Sequence, residues 1–312
     1  MRKKVLAALC CAAMVGSLAA TPVLAEETVT ANGEYKIALI TMDSVDQHWV
    51  SLKEGAEAEA EADGVTVDFM APDVKDDAKQ IECINNAVAG GYDAIMVAAN
   101  SEDAISGALK EAVDAGIKIV YVDSPANVEA EATFSTDNKA AGKTAGEQLL
   151  AQLEEKGITE GSIGIVNINT STNSTIQREE GFREALEGSA FEILETQYCE
   201  GDAAKAQTIA ENYITEGVVG IFGANEGAAT GTGNAIKASG SEEIVGVGFD
   251  KSDTLKGLVE DGYLYCTMAQ NPDQMGKLGV QACIKALNGE DLGGEVVDTG
   301  VSVLTKENVA DF

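Results

Sequence analysis

Short apolar segments alternate with helical patterns along almost the whole chain, and this alternation constrains the fold more than any other feature. "YKIALIT" (35–41) is followed by a helical pattern from Gln47 to Asp63 and then by "VTVDFMAP" (65–72). Nearly continuous apolar strands indicate parallel sheets covered by helices on both faces. Because the pattern restarts after "IKIVYVDSP" (117–125), the sequence predicts two doubly wound α/β lobes.

A (β/α)8 barrel shows the same alternation and is the main alternative for a chain of 312 residues. The sequence contains more than eight strand–helix units, which disfavours a single closed barrel. In open α/β sheets, ligands bind beyond the carboxyl ends of the strands. The residues that directly follow each strand are therefore the place to search for functional side chains.

Residues 1–25 have the pattern of a secretory signal peptide. Three basic residues follow Met1, an apolar run extends from Val5 to Ala20, and small residues precede the expected cleavage site after Ala25. The apolar run is shorter than the roughly 20 residues that a membrane-spanning helix needs. We therefore expect an exported protein, in the periplasm or at the outer face of the cytoplasmic membrane.

The cysteines bear on anchoring and on disulfides. Cys10 and Cys11 leave open attachment through a lipidated cysteine, although Leu9 is larger than the residue that normally precedes such a cysteine. The other four lie far apart, contain no C-x-x-C pair and define no disulfide pairing. We expect these four to be buried free thiols: Cys83, Cys199, Cys266 and Cys283.

The charge of the chain excludes two classes of partner. Removal of residues 1–25 takes away three of the 21 basic residues and none of the 52 acidic ones, which leaves a formal charge of −34. Nucleic acids and anionic lipids bind to clusters of Lys and Arg that displace counterions. We therefore expect neither nucleic acid nor anionic lipid as a partner.

Catalytic and cofactor motifs find little support in the sequence. The chain has one histidine and no G-x-S-x-G element, "AGKTAG" (141–146) lacks the earlier glycine of a phosphate loop, and "GTGNAI" (231–236) lacks the third glycine of a dinucleotide fingerprint. No cluster of residues has the spacing of metal ligands. We expect no cofactor, no metal and no enzymatic activity.

Polar side chains and two aromatic rings follow several of the predicted strands. Each sugar hydroxyl both donates and accepts hydrogen bonds, and sugar C–H faces stack on rings, so this set suits a neutral polyol. For Asp43, Asn100 and Ser101, capping of the next helix is the better explanation. The polar strand ends are 43–49, 100–101, 123–124, 167–178, 225–226, 250–251 and 270–271.

Some of these residues have a second structural explanation. Arg178 stands beside Glu179 and Glu180, where a surface ion pair is the simple alternative. His48 and Trp49, the only histidine and tryptophan of the chain, could instead be core residues of the first helix. Both explanations stay open at this point.

Seven stretches of the sequence together carry a family resemblance: "DQHWVSLKEGAEAEA", "VYVDSP", "STDNKAAGKTAGEQL", "QREEGFREAL", "IFGANEGAATG", "VGFDKSDT" and "MAQNPDQMGKLGVQA". With them the chain resembles the ribose-type periplasmic sugar-binding proteins, the type I solute-binding proteins of ABC importers, over essentially its whole mature length. The resemblance implies two lobes joined by a three-segment hinge, with crossings near Ser135, Gln270 and Asp298. The implied bounds are 26–135 plus 271–298 for the N-terminal lobe and 136–270 plus 299–312 for the C-terminal lobe.

The resemblance also implies a set of ligand-binding residues. In the family, an amide followed two and three residues later by aromatic rings forms the first contact segment, and Asp46, His48 and Trp49 occupy those positions here. The strand-end aspartates, arginine and amides of the family match the other five positions. The implied set is Asp46, His48, Trp49, Asp123, Arg178, Asn225, Asp250 and Gln270.

Several residues depart from the pattern of ribose binders. Ser124 stands where those proteins have an arginine, Gly201 where they stack a second-lobe aromatic ring, His48 where they have phenylalanine and Asp46 where they have asparagine. The site is thus expected to be more acidic and roomier. We expect a sugar larger than ribose, a hexose or a modified pentose, and a ligand with a cationic amine is the alternative.

The resemblance implies capture of a small sugar by closure of the two lobes and delivery to the permease subunits of an ABC importer. A sensor that presents a sugar or an amine to a chemoreceptor or sensor kinase is the first alternative, and an exported enzyme on the same scaffold is the second. A transcriptional regulator is excluded because a signal peptide stands in place of a DNA-binding segment. We expect a monomer, with a chemoreceptor as a further partner.

Overall fold

The computed structural model describes residues 29–312. The predicted signal peptide, with Cys10 and Cys11, lies outside the described residues. Between residues 29 and 312, no helix has the length and apolar character to cross a membrane.

Strands and helices alternate along the described chain as the sequence predicts. The strands are β1 Lys36–Ile40, β2 Thr66–Phe69, β3 Ala94–Val97, β4 Lys118–Val122, β5 Ala132–Ser135, β6 Gly161–Asn167, β7 Phe191–Ile193, β8 Gln197–Tyr198, β9 Gly220–Gly223, β10 Val245–Phe249, β11 Cys266–Gln270, β12 Glu295–Asp298 and β13 Val301–Thr305. The helices are α1 Gln47–Asp63, α2 Asp77–Ala89, α3 Ser106–Asp114, α4 Asn138–Glu155, α5 Asn173–Ala185, α6 Ala203–Glu216, α7 Glu226–Ser239, α8 Asp253–Glu260 and α9 Pro272–Leu287, with a final 3-10 turn at Val309–Asp311.

Two separate sheets form, one in each lobe. The first has the strand order β12-β5-β4-β3-β1-β2, and the second has the order β13-β11-β10-β9-β6-β7, with β8 paired to β6. All pairings are parallel except that of β13 with β11. Two open sheets rule out the barrel alternative and confirm the predicted fold class.

The chain crosses between the sheets three times: from β5 to α4, from β11 to α9, and from β12 to β13. Helix α9 thereby returns to the first lobe, where it packs on α1 and β4. Both sheets keep the carboxyl ends of their central parallel strands at the cleft. The strand-end side chains of the two lobes therefore face each other.

Each sheet is buried on both faces. In β1, Leu39 packs with α1 and α9, whereas the next residue, Ile40, packs with α2 and α3, and both are fully buried. In β6 of the second lobe, Ile165 and Val166 divide in the same way between two apolar clusters. This explains why the strands read as continuous apolar runs rather than as alternating ones.

Close packing of α4 on α5 fixes the position of Arg178, one of the predicted ligand-binding residues. A Cβ atom on Gly142 would lie 2.0 Å from the carbonyl oxygen of Arg178, and one on Gly181 would lie 1.9 Å from that of Lys139. Only glycine permits so close an approach of the two helices. The contact brings Arg178 next to Asn138, the first residue of α4.

The structure differs from the sequence prediction at the strands that are short or largely exposed. Strands β12 and β13 were not predicted, and the segment "FEILETQY" forms two short strands, β7 and β8, rather than one. The four cysteines of the described chain are free, as expected, but Cys83 is partly exposed whereas the other three are buried.

Candidate functional site

A small polar cavity lies in the cleft between the carboxyl ends of the two sheets. Its volume is about 20 Å³, enough for about one water molecule. A monosaccharide enters such a cavity only if the lobes or their side chains move apart. All eight residues that the sequence suggested line this cavity: Asp46, His48, Trp49, Asp123, Arg178, Asn225, Asp250 and Gln270. Four further residues complete the lining: Met42, Ile168, Ser174 and Thr175.

Two aspartates occupy equivalent positions in the two lobes. Asp123 directly follows β4 with φ of 65°, and Asp250 directly follows β10 with φ of 78°. Residues other than glycine rarely adopt this left-handed conformation, although Asp and Asn tolerate it best. Each backbone N–H donates to the neighbouring strand, from Asp123 to Phe134 and from Asp250 to Met268. These bonds hold both carboxylates toward the cleft.

His48 bridges the two aspartates. Its Nε2 lies 3.0 Å from Asp123 Oδ2, and its Nδ1 lies 3.5 Å from Asp250 Oδ1. Burial alone would lower the pKa of His48, but attraction to Asp250 and Asp123 raises it above its ordinary value. A protonated ring in this position links the lobes by charge.

Trp49 combines a core position with a place at the cavity. It is 4% exposed and packs in the apolar cluster with α9. Its ring meets that of His48 edge-on at 4.6 Å, and its Nε1 donates to Asp43 Oδ2 at 3.2 Å. Trp49 is thus a core residue that also lines the cavity.

Arg178 is buried at the cavity rather than exposed at the surface. Only 2% of it is accessible, so the surface ion pair with its glutamate neighbours is wrong. Its Nε donates to Asn138 Oδ1 at 2.8 Å and its Nη1 to the Ala224 carbonyl at 3.0 Å. The guanidinium lies 3.8 Å above the Phe249 ring and 3.8 Å from Asp123 Oδ2. These contacts fix a cation at the floor of the cleft.

The two amides of the predicted set are also positioned by their neighbours. Gln270 Nε2 donates to Asp250 Oδ1 at 2.6 Å, and its Oε1 accepts from Thr136 Oγ1 at 2.7 Å. Asn225 Oδ1 accepts from the Ala228 N–H at 3.1 Å and so caps α7. Gln270 is the last residue of β11, where the chain crosses between the lobes, so its side chain connects this crossing to the cavity.

The structure corrects the helix-capping explanation for two residues. Asp43 does not cap α1; it accepts from the Val45 and Asp46 amides at 2.7 and 2.9 Å and bonds to Trp49 and Lys75. Asn100 donates to Asp77 instead of capping α3. Ser101 does accept from the Ala104 N–H at 3.2 Å, in the turn before α3.

Lys75 was not predicted to take part. It lies in the loop between β2 and α2 with its side chain 6% exposed. Its Nζ is 2.7 Å from Asp46 Oδ2 and bonds to Asp43 Oδ2 as well. Burial would raise the pKa of Asp43, but Lys75 lowers it; for Asp46, burial prevails and raises the pKa. No sequence signal marked this lysine, because a polar loop does not reveal which side chain folds inward.

The space beside Gly201 is filled. Gly201 has φ of 76°, and a Cβ atom added to it would lie 2.7 Å from Cδ of Lys75. The lysine stem therefore occupies the room beside Gly201 in which the larger ligand was expected. The expectation of a roomier site is corrected.

Glu226 of the second lobe contacts the N-terminal end of α1 in the first lobe. Its carboxylate accepts from the backbone N–H groups of Gln47 at 3.1 Å and His48 at 3.0 Å, so a second-lobe residue caps a first-lobe helix. Burial, together with repulsion from Asp46 and Asp250, raises the pKa of Glu226 to about 7. The sequence placed Glu226 at a strand end but not in the site.

Further contacts hold the lobes together around the cavity. Gln47 Oε1 of the first lobe accepts from the Asp253 N–H of the second lobe at 3.0 Å. In the Glu226 contact, the side chain instead comes from the second lobe and the N–H groups from the first. On another side, Thr172 Oγ1 donates to the Asn100 carbonyl at 2.6 Å, and Asn173 donates to Glu102 at 2.9 Å. The arrangement is that of a closed cleft.

The chemistry of the site is that of dense, charge-assisted hydrogen bonding beside one aromatic wall. Such a site can bind a small molecule rich in hydroxyl groups. Among residues 29–312, no group of three or more His, Cys, Asp or Glu side chains could hold a metal ion.

Comparison with protein families gives one match that covers most of the chain. Residues 37–291 match the model described as "Periplasmic binding protein domain". The ribose import binding protein of Escherichia coli is 30% identical over 268 residues, which cover 84% of this chain and 89% of that protein. The D-ribose/D-allose-binding protein of Pseudomonas aeruginosa is 26% identical and covers 86% and 88% of the two chains.

Solved structures with the same fold include sugar complexes. An ABC transporter solute-binding protein from Agrobacterium vitis with bound D-fucose is 33% identical, with a TM-score of 0.82 and coverage of 88% of this chain and 96% of that one. A second protein from this organism, bound with alpha-D-tagatopyranose, is 27% identical, with a TM-score of 0.84 and coverage of 89% and 97%.

Proposed function

The chain belongs to the periplasmic binding protein family, and from that membership we propose that it captures a monosaccharide between its lobes and delivers it to the permease subunits of an ABC importer. Family membership confirms the resemblance, the fold class and the expected export. The family and the relatives are solute-binding proteins, and we propose that this chain likewise has no enzymatic activity.

One observation carries the proposal. Charged and amide side chains from both lobes converge on a single cavity, at the strand ends where ligands of open α/β proteins bind. Relatives named for ribose or allose and structures with D-fucose or tagatose support a sugar as the ligand. We assign ligand binding to Asp46, His48, Trp49, Asp123, Arg178, Asn225, Asp250 and Gln270.

The lobe bounds are part of the same proposal. Strand membership in the two sheets supports an N-terminal lobe of 26–135 plus 271–298 and a C-terminal lobe of 136–270 plus 299–312. A ligand that contacts both lobes favours the closed form only by its differential affinity for that form. A monomeric state and a chemoreceptor partner remain predictions, and the import names of the relatives disfavour the sensor alternative.

Thermal unfolding of the exported chain tests the function. The protein is unfolded and refolded to remove bound ligand, then heated with D-ribose, D-allose, D-arabinose, D-fucose or D-tagatose. A ligand at a hundred times its Kd adds about 2.7 kcal/mol, which raises Tm by about 5 °C in a chain of this size. Stabilisation by one of these sugars is the expected result, and none by any of them would contradict sugar capture.

Asp250→Asn tests the site. Asparagine tolerates the left-handed backbone at this position, so the variant removes charge and keeps the fold. We expect the sugar-induced rise in Tm to be lost. Asp253→Asn, at the exposed first position of α8, is the matched control and should behave as the wild type. Equal sugar responses of the two variants would refute the site assignment.

A further inference from the structure

We propose that Lys75 is a specificity-determining residue of this site. Its ammonium occupies the position on Asp46 that a cationic ligand would need, so the site selects neutral sugars over amino sugars. This inference rests on the proposed sugar-binding function. It assigns a part in that function to Lys75, which does not itself line the cavity.

The first step of the argument is the position of Asp46. Asp46 directly precedes α1 and lines the cavity. Asp46 does not cap α1 with its side chain. In the described part of the chain, its carboxylate accepts a hydrogen bond from Lys75 Nζ at 2.7 Å.

The other carboxylates at the cavity are held by the rest of the chain. Asp123 contacts His48 and Arg178, and Asp250 accepts from Gln270. Within residues 29–312, Asp46 is the cavity carboxylate whose side-chain contact is with one flexible cation, Lys75. The Asp46 side chain is only 18% exposed. A mostly buried carboxylate without a partner is costly, so removal of Lys75 leaves a group that a ligand ammonium can satisfy.

The second step is the path of the lysine stem. Lys75 Cδ and Cε lie against Gly201 of the second lobe, within 3 Å of where a Cβ atom would stand. The stem thus fills the space beside Gly201, and the ammonium is shared by the carboxylates of Asp46 and Asp43. Lys75 controls both the charge and the room offered at this end of the cavity.

The test compares wild-type protein with Lys75→Met, which keeps the bulk beside Gly201 and removes the charge. The probes are D-glucosamine, D-galactosamine and D-mannosamine, their N-acetyl forms, and the five neutral sugars of the thermal panel. In Lys75→Met we expect the affinity for at least one amino sugar, relative to the neutral sugars, to rise by about tenfold or more. The uncharged N-acetyl forms should not gain.

Further variants separate specificity from folding. Lys75→Arg keeps the charge and should restore wild-type selection, and Lys79→Met removes an exposed lysine paired with Asp73 and should change nothing. Lys75→Gln, which keeps a donor for Asp46, takes the place of the methionine variant if that variant does not fold.

The outcomes distinguish this inference from the function on which it rests. A wild-type protein that binds amino sugars as well as neutral ones, or a folded Lys75→Met or Lys75→Gln with unchanged relative affinities, overturns the role of Lys75 and leaves sugar capture intact. A wild-type protein that binds no sugar of either kind overturns the proposed function, and the role of Lys75 with it.

Discussion

Glu226 should make ligand capture depend on pH. In the closed cleft, burial and the neighbouring carboxylates raise the pKa of Glu226 to about 7 from an ordinary 4.5. When the lobes separate, water reaches the carboxylate and its pKa falls back toward the ordinary value. Closure therefore takes up a proton, and the protonated carboxyl stabilises the closed form fully below about pH 4.5 and loses this effect as pH rises through about 7.

The size of the effect follows from the shift and from exposure. The whole shift would correspond to about 3 kcal/mol. Because Glu226 is only half-buried, solvent screening reduces this to about 1–2 kcal/mol, or roughly a tenfold loss of affinity between about pH 5.5 and about pH 8. His48 contributes with the same sign, since its pKa is also raised in the closed form. Glu226→Gln should therefore weaken the pH dependence without abolishing it.

Titration calorimetry in buffers of different ionisation enthalpy measures the proton uptake directly. With the sugar identified by thermal unfolding, we expect wild-type protein to take up a fraction of a proton near neutral pH and Glu226→Gln to take up less. Glu102→Gln is the matched control, because Glu102 also accepts a hydrogen bond across the cleft, from Asn173. Equal proton uptake by wild type and Glu226→Gln would refute the reasoning.

Two further predictions concern the packing that fixes Arg178. Gly142→Ala places a methyl group 2.0 Å from a backbone carbonyl and should destabilise the fold by about 1–3 kcal/mol, whereas Gly107→Ala, on an open face of α3, should be neutral or stabilising in the same denaturant titration. Arg178→Lys cannot keep both hydrogen bonds to Asn138 and Ala224, so we expect ligand affinity to fall about tenfold or more by calorimetry, and an unchanged affinity would contradict the assigned role.

The fold could be predicted from the sequence because strands that are buried on both faces appear as continuous apolar runs. Such runs can be recognised without knowledge of the tertiary structure. Leu39 and Ile40 face opposite helix layers, yet both must be apolar, and that requirement is visible in the letters. Strands β12 and β13 lack this signal, since most of their residues stay partly or fully exposed. Their pairing depends on neighbours that only the folded chain supplies.

The candidate site was predictable only in part. The strand-end residues could be found because open parallel sheets bring their carboxyl ends together. Lys75 could not, because nothing local distinguishes it from Lys79, an exposed lysine four residues later. The prediction for Asp43 was wrong for a related reason, because an aspartate before a helix can cap it or bond elsewhere. Here Oδ1 accepts from the backbone amides of Val45 and Asp46, in the turn before α1, and Oδ2 accepts from Trp49 and Lys75.

The left-handed backbone at Asp123 and Asp250 also restricts how the protein can change over evolution. At φ of 65° and 78°, most side chains would strain the chain, and glycine, asparagine and aspartate are among the residues that fit at the lowest cost. Of these three, aspartate alone carries charge. Few substitutions at these two positions are therefore neutral. New ligand preferences arise more easily by mutation of the other residues that line the cavity.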